Sequence, residues 1–131
     1  MFEILQHTAD VRLRVRAATL EDLFRDAMRG MFAIAGFEIR DSGFVKARVA
    51  IDSVDLTSLL VDFLNAVLSR AQIEHVAFDD VTLKRLTETE IAAQLIGRPA
   101  QFTQDIKAVT YHEADVRFVS GEWETMLVFD I

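Results

Sequence analysis

The chain has 131 residues, of which 51% are apolar, and a formal net charge of −7. This length suits one domain spanning residues 1–131, and the apolar fraction argues against disorder. Cysteine is absent, which excludes disulfides, a thiolate nucleophile and a cysteine zinc site, and fits a cytoplasmic protein. The acidic balance predicts repulsion of free nucleic acid unless a local basic patch is present. No apolar run approaches the roughly 20 residues that span a bilayer.

The first long elements are a strand and a helix. Residues 11–17 alternate between apolar side chains and Arg12, Arg14 and Arg16, which predicts a half-buried strand. Thr19 is suited to cap the helix that follows, and Gly36 is suited to end it. Apolar residues between these two positions recur every three or four residues, which predicts one buried helical stripe.

A second strand and helix repeat this pattern. Residues 44–51 alternate again, and Asp55 is placed to cap a helix whose apolar stripe runs from Leu56 to Ala71. Beyond this helix the chain is β-rich, with a hairpin around Thr87 and a loop over residues 98–105. Strands are then predicted at 106–111, 116–119 and 123–131. The fold class is therefore α+β, a two-layer arrangement of a mostly antiparallel sheet with two amphipathic helices packed on one face.

No standard catalytic motif is present, since the chain lacks a Gly-rich phosphate loop and a nucleophile elbow. One candidate is Asp10, in the segment His7-Thr8-Ala9-Asp10 before the first long strand. Alternation places Asp10 on the same face as Arg12. A turn residue or a salt-bridge partner of Arg12 is the more frequent role for such a carboxylate, and a binding site is the alternative.

A second candidate is the C-terminus, where an apolar strand runs to the last residue. It ends in two carboxylates, the Asp130 side chain and the main chain of Ile131. Calcium and magnesium prefer such oxygen ligands, whereas simple solvation is the alternative role.

Lys107 is the third candidate, because it lies between apolar neighbours in a β-rich segment. It is either a solvated strand residue or a cation that contacts an acidic group.

Five segments together resemble the archease family, in the right order over the whole chain. They are His7-Thr8-Ala9-Asp10, the helix after Thr19, the helix after Asp55, Ile106-Lys107-Ala108-Val109-Thr110-Tyr111-His112 and the ending Phe129-Asp130-Ile131. The internal motif around Lys107 is the most specific of the five.

The resemblance implies a function. Archeases are non-catalytic activators of the tRNA-splicing RNA ligase, which joins RNA 3′-phosphate or 2′,3′-cyclic phosphate ends to 5′-hydroxyl ends using GTP and manganese. They promote its guanylylation and repeated turnover. The partner implied here is that ligase, with RNA contacted only indirectly and no membrane. Whether the chain forms a homo-oligomer is left open.

The resemblance also implies a divalent-metal site, bound as calcium in the family, with magnesium and manganese as alternatives. Its ligands here would be Asp10, Asp130 and the Ile131 carboxylate, with His7 and Lys107 as functional positions facing the partner. Many archeases carry an acidic residue where this chain has Gln6, so we expect weaker metal binding here. Two alternatives to the activator role are weighed. The protein could be a chaperone-like module for a tRNA methyltransferase or other RNA-modifying enzyme, or it could itself be a metal-dependent enzyme.

Overall fold

A computed structural model describes residues 1–6 and 10–131, which form two helices and nine strands. In chain order the elements are β1 (Phe2–Gln6), β2 (Asp10–Ala17), α1 (Leu20–Ala35), β3 (Phe37–Ile39), β4 (Val45–Asp52), α2 (Leu56–Glu74), β5 (Val76–Leu86), β6 (Glu90–Phe102), β7 (Ala108–Thr110), β8 (Arg117–Val119) and β9 (Glu122–Asp130).

Both helices begin at the predicted caps. The Thr19 hydroxyl accepts a hydrogen bond from the Asp22 N–H at 3.1 Å, and the Asp55 carboxylate accepts one from the Ser58 N–H at 2.7 Å. Each bond satisfies an N–H group that the first helical turn leaves free. α1 ends at Gly36, whose φ of 63° suits a residue without a Cβ. Within the described ranges, neither helix has the length and apolar character needed to cross a membrane.

The strands form two sheets in which all pairings are antiparallel. The first sheet has the order β1-β2-β9-β7, with β8 also paired to β9. In the second sheet, β6 pairs with each of the other three strands, β3, β4 and β5. We call them the five-stranded and the four-stranded sheet.

The two helices contact both sheets. α1 packs against β1, β2 and β9 of the first sheet and β5 of the second, and α2 packs against β7 and β4, β5 and β6. This confirms the predicted α+β class with two amphipathic helices. Both sheets have inner apolar side chains, such as Leu13 in the first and Leu95 in the second, that must be covered. The same two helices cover both sets, so the two sheets share one core.

Two short strands and one extension were not predicted. β1 and β3 lack a long alternating pattern and are defined by their partners β2 and β6. The predicted loop at 98–105 is wrong for residues 98–102, which continue β6. Pro99 is tolerated because its carbonyl accepts from the Arg40 N–H, and the next N–H, of Ala100, donates to the His75 carbonyl, both at 2.8 Å.

Candidate functional site

The start of β2 and the end of β9 lie side by side at one edge of the five-stranded sheet. The register places Asp10 directly opposite Asp130, and Asp130 directly opposite Ala108 on its other side. Residues paired in this way project to the same face, with their Cβ atoms about 5 Å apart. Two candidate carboxylates, 120 positions apart in the chain, are therefore neighbours on the face turned away from the helices.

Asp10 has an unsatisfied oxygen. Its Oδ1 atom is buried and has no hydrogen-bond partner among the described residues. Among the described residues the nearest cation is the guanidinium of Arg12, whose Nε lies 4.0 Å away, at the limit of an ion pair, and is also buried without a hydrogen-bond partner. Arg12 instead bonds Glu113, with its Nη1 3.0 Å from that carboxylate. The salt-bridge role weighed for Asp10 is therefore only marginally present, and Glu113 is the principal partner of Arg12.

Asp130 is exposed, and in the described part of the chain no basic side chain lies within 4.0 Å of its carboxylate. Ile131 follows it, half-buried, with its side chain against the core. This contact anchors the Ile131 side chain just beyond the end of β9.

Lys107 lies beside Asp130 and is attached to it through a main-chain hydrogen bond. Its N–H donates to the Asp130 carbonyl at 2.7 Å, which extends the pairing of β7 with β9 by one residue. Its side chain is exposed. The structure thus brings Asp10, Asp130, Ile131 and Lys107 together, and leaves the Lys107 ammonium accessible to a partner.

Polar side chains of α2 fix the segment that carries Lys107. The Asn65 amide donates to the Val109 carbonyl at 2.8 Å and accepts from the Val109 N–H at 2.9 Å, as a neighbouring strand would. Gln72 donates to the Ile106 carbonyl at 2.8 Å. These bonds satisfy the free edge of β7. They were missed from the sequence, where Asn65 is only a polar interruption in an apolar stripe.

Tyr111 forms a third attachment to α2. Its hydroxyl donates to Asp62, which also accepts from the Ser53 hydroxyl at 2.5 Å. The hydrogen bond to Asp62, together with burial and the negative charge of that carboxylate, raises the pKa of Tyr111. Tyr111 therefore remains a neutral donor and holds the end of the Lys107 segment.

The histidines contribute little to the described site. His7 lies outside the described residues. His75 is exposed at the end of α2, where it adopts a left-handed φ of 56°, and His112 is exposed beyond β7.

The carboxylate oxygens of Asp10 and Asp130 suit a hard divalent cation as ligands, because the two groups face each other and one oxygen is unsatisfied. Within residues 1–6 and 10–131, no three His, Asp or Glu side chains lie close enough to hold a metal unaided. Asp10 and Asp130 would therefore need a further oxygen, and the main-chain carboxylate of Ile131 is chemically suited.

Comparison with known proteins defines the family. Residues 2–131 match the "Archease protein family (MTH1598/TM1083)". Among curated relatives, "Protein archease" of Methanosarcina mazei is 32% identical, covering 99% of this chain and 95% of its own length. That of Methanopyrus kandleri is 31% identical and covers 99% of both chains. This chain belongs to the archease family. The family is one of accessory, chaperone-like proteins rather than catalytic enzymes.

Two solved archease-family folds resemble this one. The crystal structure described as "an archease, possible chaperone" from Thermotoga maritima has a TM-score of 0.73 at 20% identity, covering 100% of this chain and 98% of that one. The solution structure of protein 1598 from Methanobacterium thermoautotrophicum has a TM-score of 0.72, also at 20% identity, covering 99% and 98%. At this identity the likeness supports the archease fold.

Proposed function

We propose that this protein is a non-catalytic activator of the tRNA-splicing RNA ligase. It would promote ligase guanylylation and repeated joining of RNA 3′-phosphate or 2′,3′-cyclic phosphate ends to 5′-hydroxyl ends. The family supports an accessory role, and the pair Asp10 and Asp130 supports a divalent-metal site within it. The protein is expected to act in the cytoplasm.

The observation that carries the site is the buried Oδ1 of Asp10, which has no hydrogen-bond partner among the described residues and belongs to a carboxylate opposite a second one, Asp130. An unsatisfied buried oxygen costs about 1–3 kcal/mol, and like charges directly opposite add to that cost. A cation held by Asp10, Asp130 and the Ile131 carboxylate would offset both terms. Calcium is the ion expected, with magnesium and manganese as alternatives.

Each residue has a distinct task in this proposal. Asp10 and Asp130 supply side-chain oxygens from adjacent strands, and Glu113 holds the Nη1 group of Arg12, whose Nε remains 4.0 Å from Asp10. Lys107 is fixed by its main chain and exposes its ammonium, which suits contact with an acidic or phosphate group of the ligase or its nucleotide.

The test is multiple-turnover ligation with the cognate ligase. Asp10→Asn and Asp130→Asn proteins should stimulate turnover far less than the unmodified chain, and Lys107→Met should show a related loss. Asp115→Asn is the matched control, because it removes an exposed carboxylate paired with Arg117, away from the site. Full stimulation by both Asp10 and Asp130 variants would contradict the metal-site role.

A chaperone-like module for a tRNA methyltransferase or another RNA-modifying enzyme is the second candidate. It is favoured by the description of the Thermotoga maritima relative as a "possible chaperone". Pull-down from a native extract distinguishes the two functions, since the activator should retain the ligase and the chaperone-like module a modifying enzyme.

A further inference from the structure

The cationic side chains without a carboxylate partner are unevenly distributed. In the part of the chain that the structure describes, the Lys and Arg residues with no carboxylate within 4.0 Å are Arg14, Arg40, Lys46, Arg48, Lys84, Arg98 and Lys107. All except Arg14 and Lys107 lie on the four-stranded sheet or directly beside it. A chain with a net charge of −7 therefore carries, on or beside one sheet, a group of cations with no carboxylate within 4.0 Å.

These side chains share the solvent face of the sheet. Along β4, Lys46 and Arg48 are exposed and alternate with buried Ala47 and Val49. The register places Lys46 opposite Ile96 and Arg48 opposite Gln94 of the central strand β6. The cations consequently project away from the helices and towards solvent.

Lys84 approaches the same surface from the other side. It lies at an irregularity in β5, between Leu83 and Arg85 in the register with β6. Arg48 and Lys84 line one depression of about 460 Å³, whose floor includes Ala50, Ala92 and Gln94. Small floor residues allow an extended chain to lie close to the sheet between two cations.

An exposed aromatic ring extends this surface at the start of β4. Phe44 is 66% exposed, and the guanidinium carbon of Arg98 lies 4.9 Å from the centre of its ring. The Arg98 Nε atom is buried and has no hydrogen-bond partner in the part of the chain that the structure describes. The guanidinium on the ring fixes the orientation of the ring through a cation–π contact.

We infer that this basic face, formed by Phe44, Lys46, Arg48, Lys84 and Arg98, binds single-stranded RNA. The cations would contact backbone phosphates, and an unpaired base would stack on Phe44. The carboxylates of an acidic polypeptide would contact the cations but, unlike a base, would not stack on the Phe44 ring. The choice of RNA over DNA rests on the proposed function, whereas binding of a single strand rests on this surface alone.

The acidic groups near the face limit its extent. Asp52 pairs in register with Glu90 at the far end of β4, and Glu90 is bonded to Arg85 at 2.7 Å. We therefore expect the strand to occupy the half of the sheet nearer Phe44. Binding should be weak, with a Kd on the order of 10⁻⁵ M at physiological salt, because the rest of the chain is acidic.

The experiment is fluorescence anisotropy of a labelled single-stranded RNA of about ten nucleotides, titrated with the intact protein over a salt series. The combined variant Lys46→Ala, Arg48→Ala, Lys84→Ala should bind at least about tenfold more weakly. Its logarithmic salt slope should fall by about 2, since each phosphate contact contributes about 0.7. Arg14→Ala, Arg16→Ala, Arg117→Ala is the matched control, which removes three positive charges from the other sheet. It should stay within about twofold of the unmodified protein.

Phe44→Ala tests the stacking contact. It should weaken RNA binding about fivefold or more and leave the salt slope unchanged, whereas Phe44→Trp should retain binding. Equal losses in the two triple variants would overturn the location of the face. Competition by poly-glutamate as effective as by RNA would overturn the strand-binding inference, and equal binding of DNA would overturn the choice of RNA. The ligase is absent from this assay, so failure here leaves the activator proposal intact, and failed activation leaves this result intact.

Discussion

Two carboxylate sites in this protein differ in how fully their charge is compensated. Asp80, on β5, accepts from the Val81 N–H at 2.8 Å and from the Arg25 Nε at 2.9 Å, with Arg29 at 3.6 Å. Burial alone would raise the pKa of Asp80, but these hydrogen bonds and the two arginine charges lower it below its usual range. Asp10 and Asp130 face each other, and among residues 1–6 and 10–131 the nearest cation to either is Arg12, 4.0 Å from Asp10.

This difference in charge compensation distinguishes Asp80, a structural carboxylate, from Asp10 and Asp130, which are candidate metal ligands. Arg25 also bonds the Val81 carbonyl at 2.8 Å, so the Asp80 cluster joins α1 to β5. Its charges satisfy one another and have no need of a ligand. At the Asp10 site, Arg12 bonds Glu113 and lies 4.0 Å from Asp10, whose Oδ1 has no hydrogen-bond partner among the described residues. Unsatisfied buried oxygen atoms are uncommon, and they mark places where another group is expected.

The largest expected effect is on metal binding. The double variant Asp10→Asn, Asp130→Asn should lose calcium affinity by on the order of 100-fold or more, because the ligand charge is removed. Its unfolding free energy without metal should be unchanged or higher by up to about 1 kcal/mol, because the facing like charges are gone. Calorimetric titration and denaturant unfolding measure the two quantities. Retained affinity, or a large loss of stability, would place these residues with Asp80 as structural.

At the Asp80 cluster we expect the opposite result, a loss of stability without a change in calcium affinity. Arg25→Ala should lower the unfolding free energy by about 2 kcal/mol, since it removes bonds to Asp80 and to the Val81 carbonyl. Calcium affinity should not change. Urea unfolding and calorimetry on the same preparation check both statements, with the exposed Arg117→Ala as a control for loss of one arginine.

A smaller effect is expected from extending the chain. Two glycines added after Ile131 convert the terminal carboxylate into an amide and should weaken calcium binding about tenfold. Calorimetry measures the change. The same addition at the N-terminus is the control, and unchanged affinity of the C-terminal form would remove Ile131 from the ligand set.

A pH dependence of less than about 1 kcal/mol is expected at Asp80, because its exposed side chain is partly screened by solvent. The folded state lowers the pKa of this carboxyl, so the unfolded chain binds the proton more readily and stability rises with pH. The contribution is fully present above the unfolded value of about 3.9 and is lost as the pH falls through the lower, folded value. The stability difference between the unmodified protein and Asp80→Asn should therefore shrink between neutral pH and pH ~3. A constant difference would show that the carboxylate charge is not responsible.

The smallest expected effect concerns Arg12. Glu113→Gln weakens the ion pair that holds the Arg12 Nη1 group, so Arg12, already 4.0 Å from Asp10, should compete more strongly with calcium for the Asp10 carboxylate. A loss of calcium affinity of about threefold is expected, worth well under 1 kcal/mol. Glu122→Gln, at the exposed start of β9, is the control for loss of one negative charge. A gain in affinity would mean that Arg12 does not compete.

Local sequence was sufficient for the long elements and for their caps. Thr19, Asp55 and Gly36 were predicted correctly because capping depends on residues three or four positions away. Pro99 misled the prediction of a loop, since a proline is tolerated wherever a neighbouring strand does not need its N–H. Asp10, Asp130 and Lys107 were identified as candidates from sequence and family resemblance. The roles of Asn65, Gln72 and Glu113 have no local signal, because their partners lie 34 to 101 positions away.

The sequence by itself determined the α+β class, the two amphipathic helices, the acidic balance and the family, since these follow from periodicity, composition and motifs. The tertiary structure decided which charges are compensated. It paired Asp80 with Arg25 and placed Asp10 opposite Asp130, with Arg12 at the 4.0 Å limit of an ion pair. On the outer face of the four-stranded sheet it left lysines and arginines with no carboxylate within 4.0 Å among the described residues. Net charge is a sum over residues, whereas compensation depends on distances that only strand register and helix packing set.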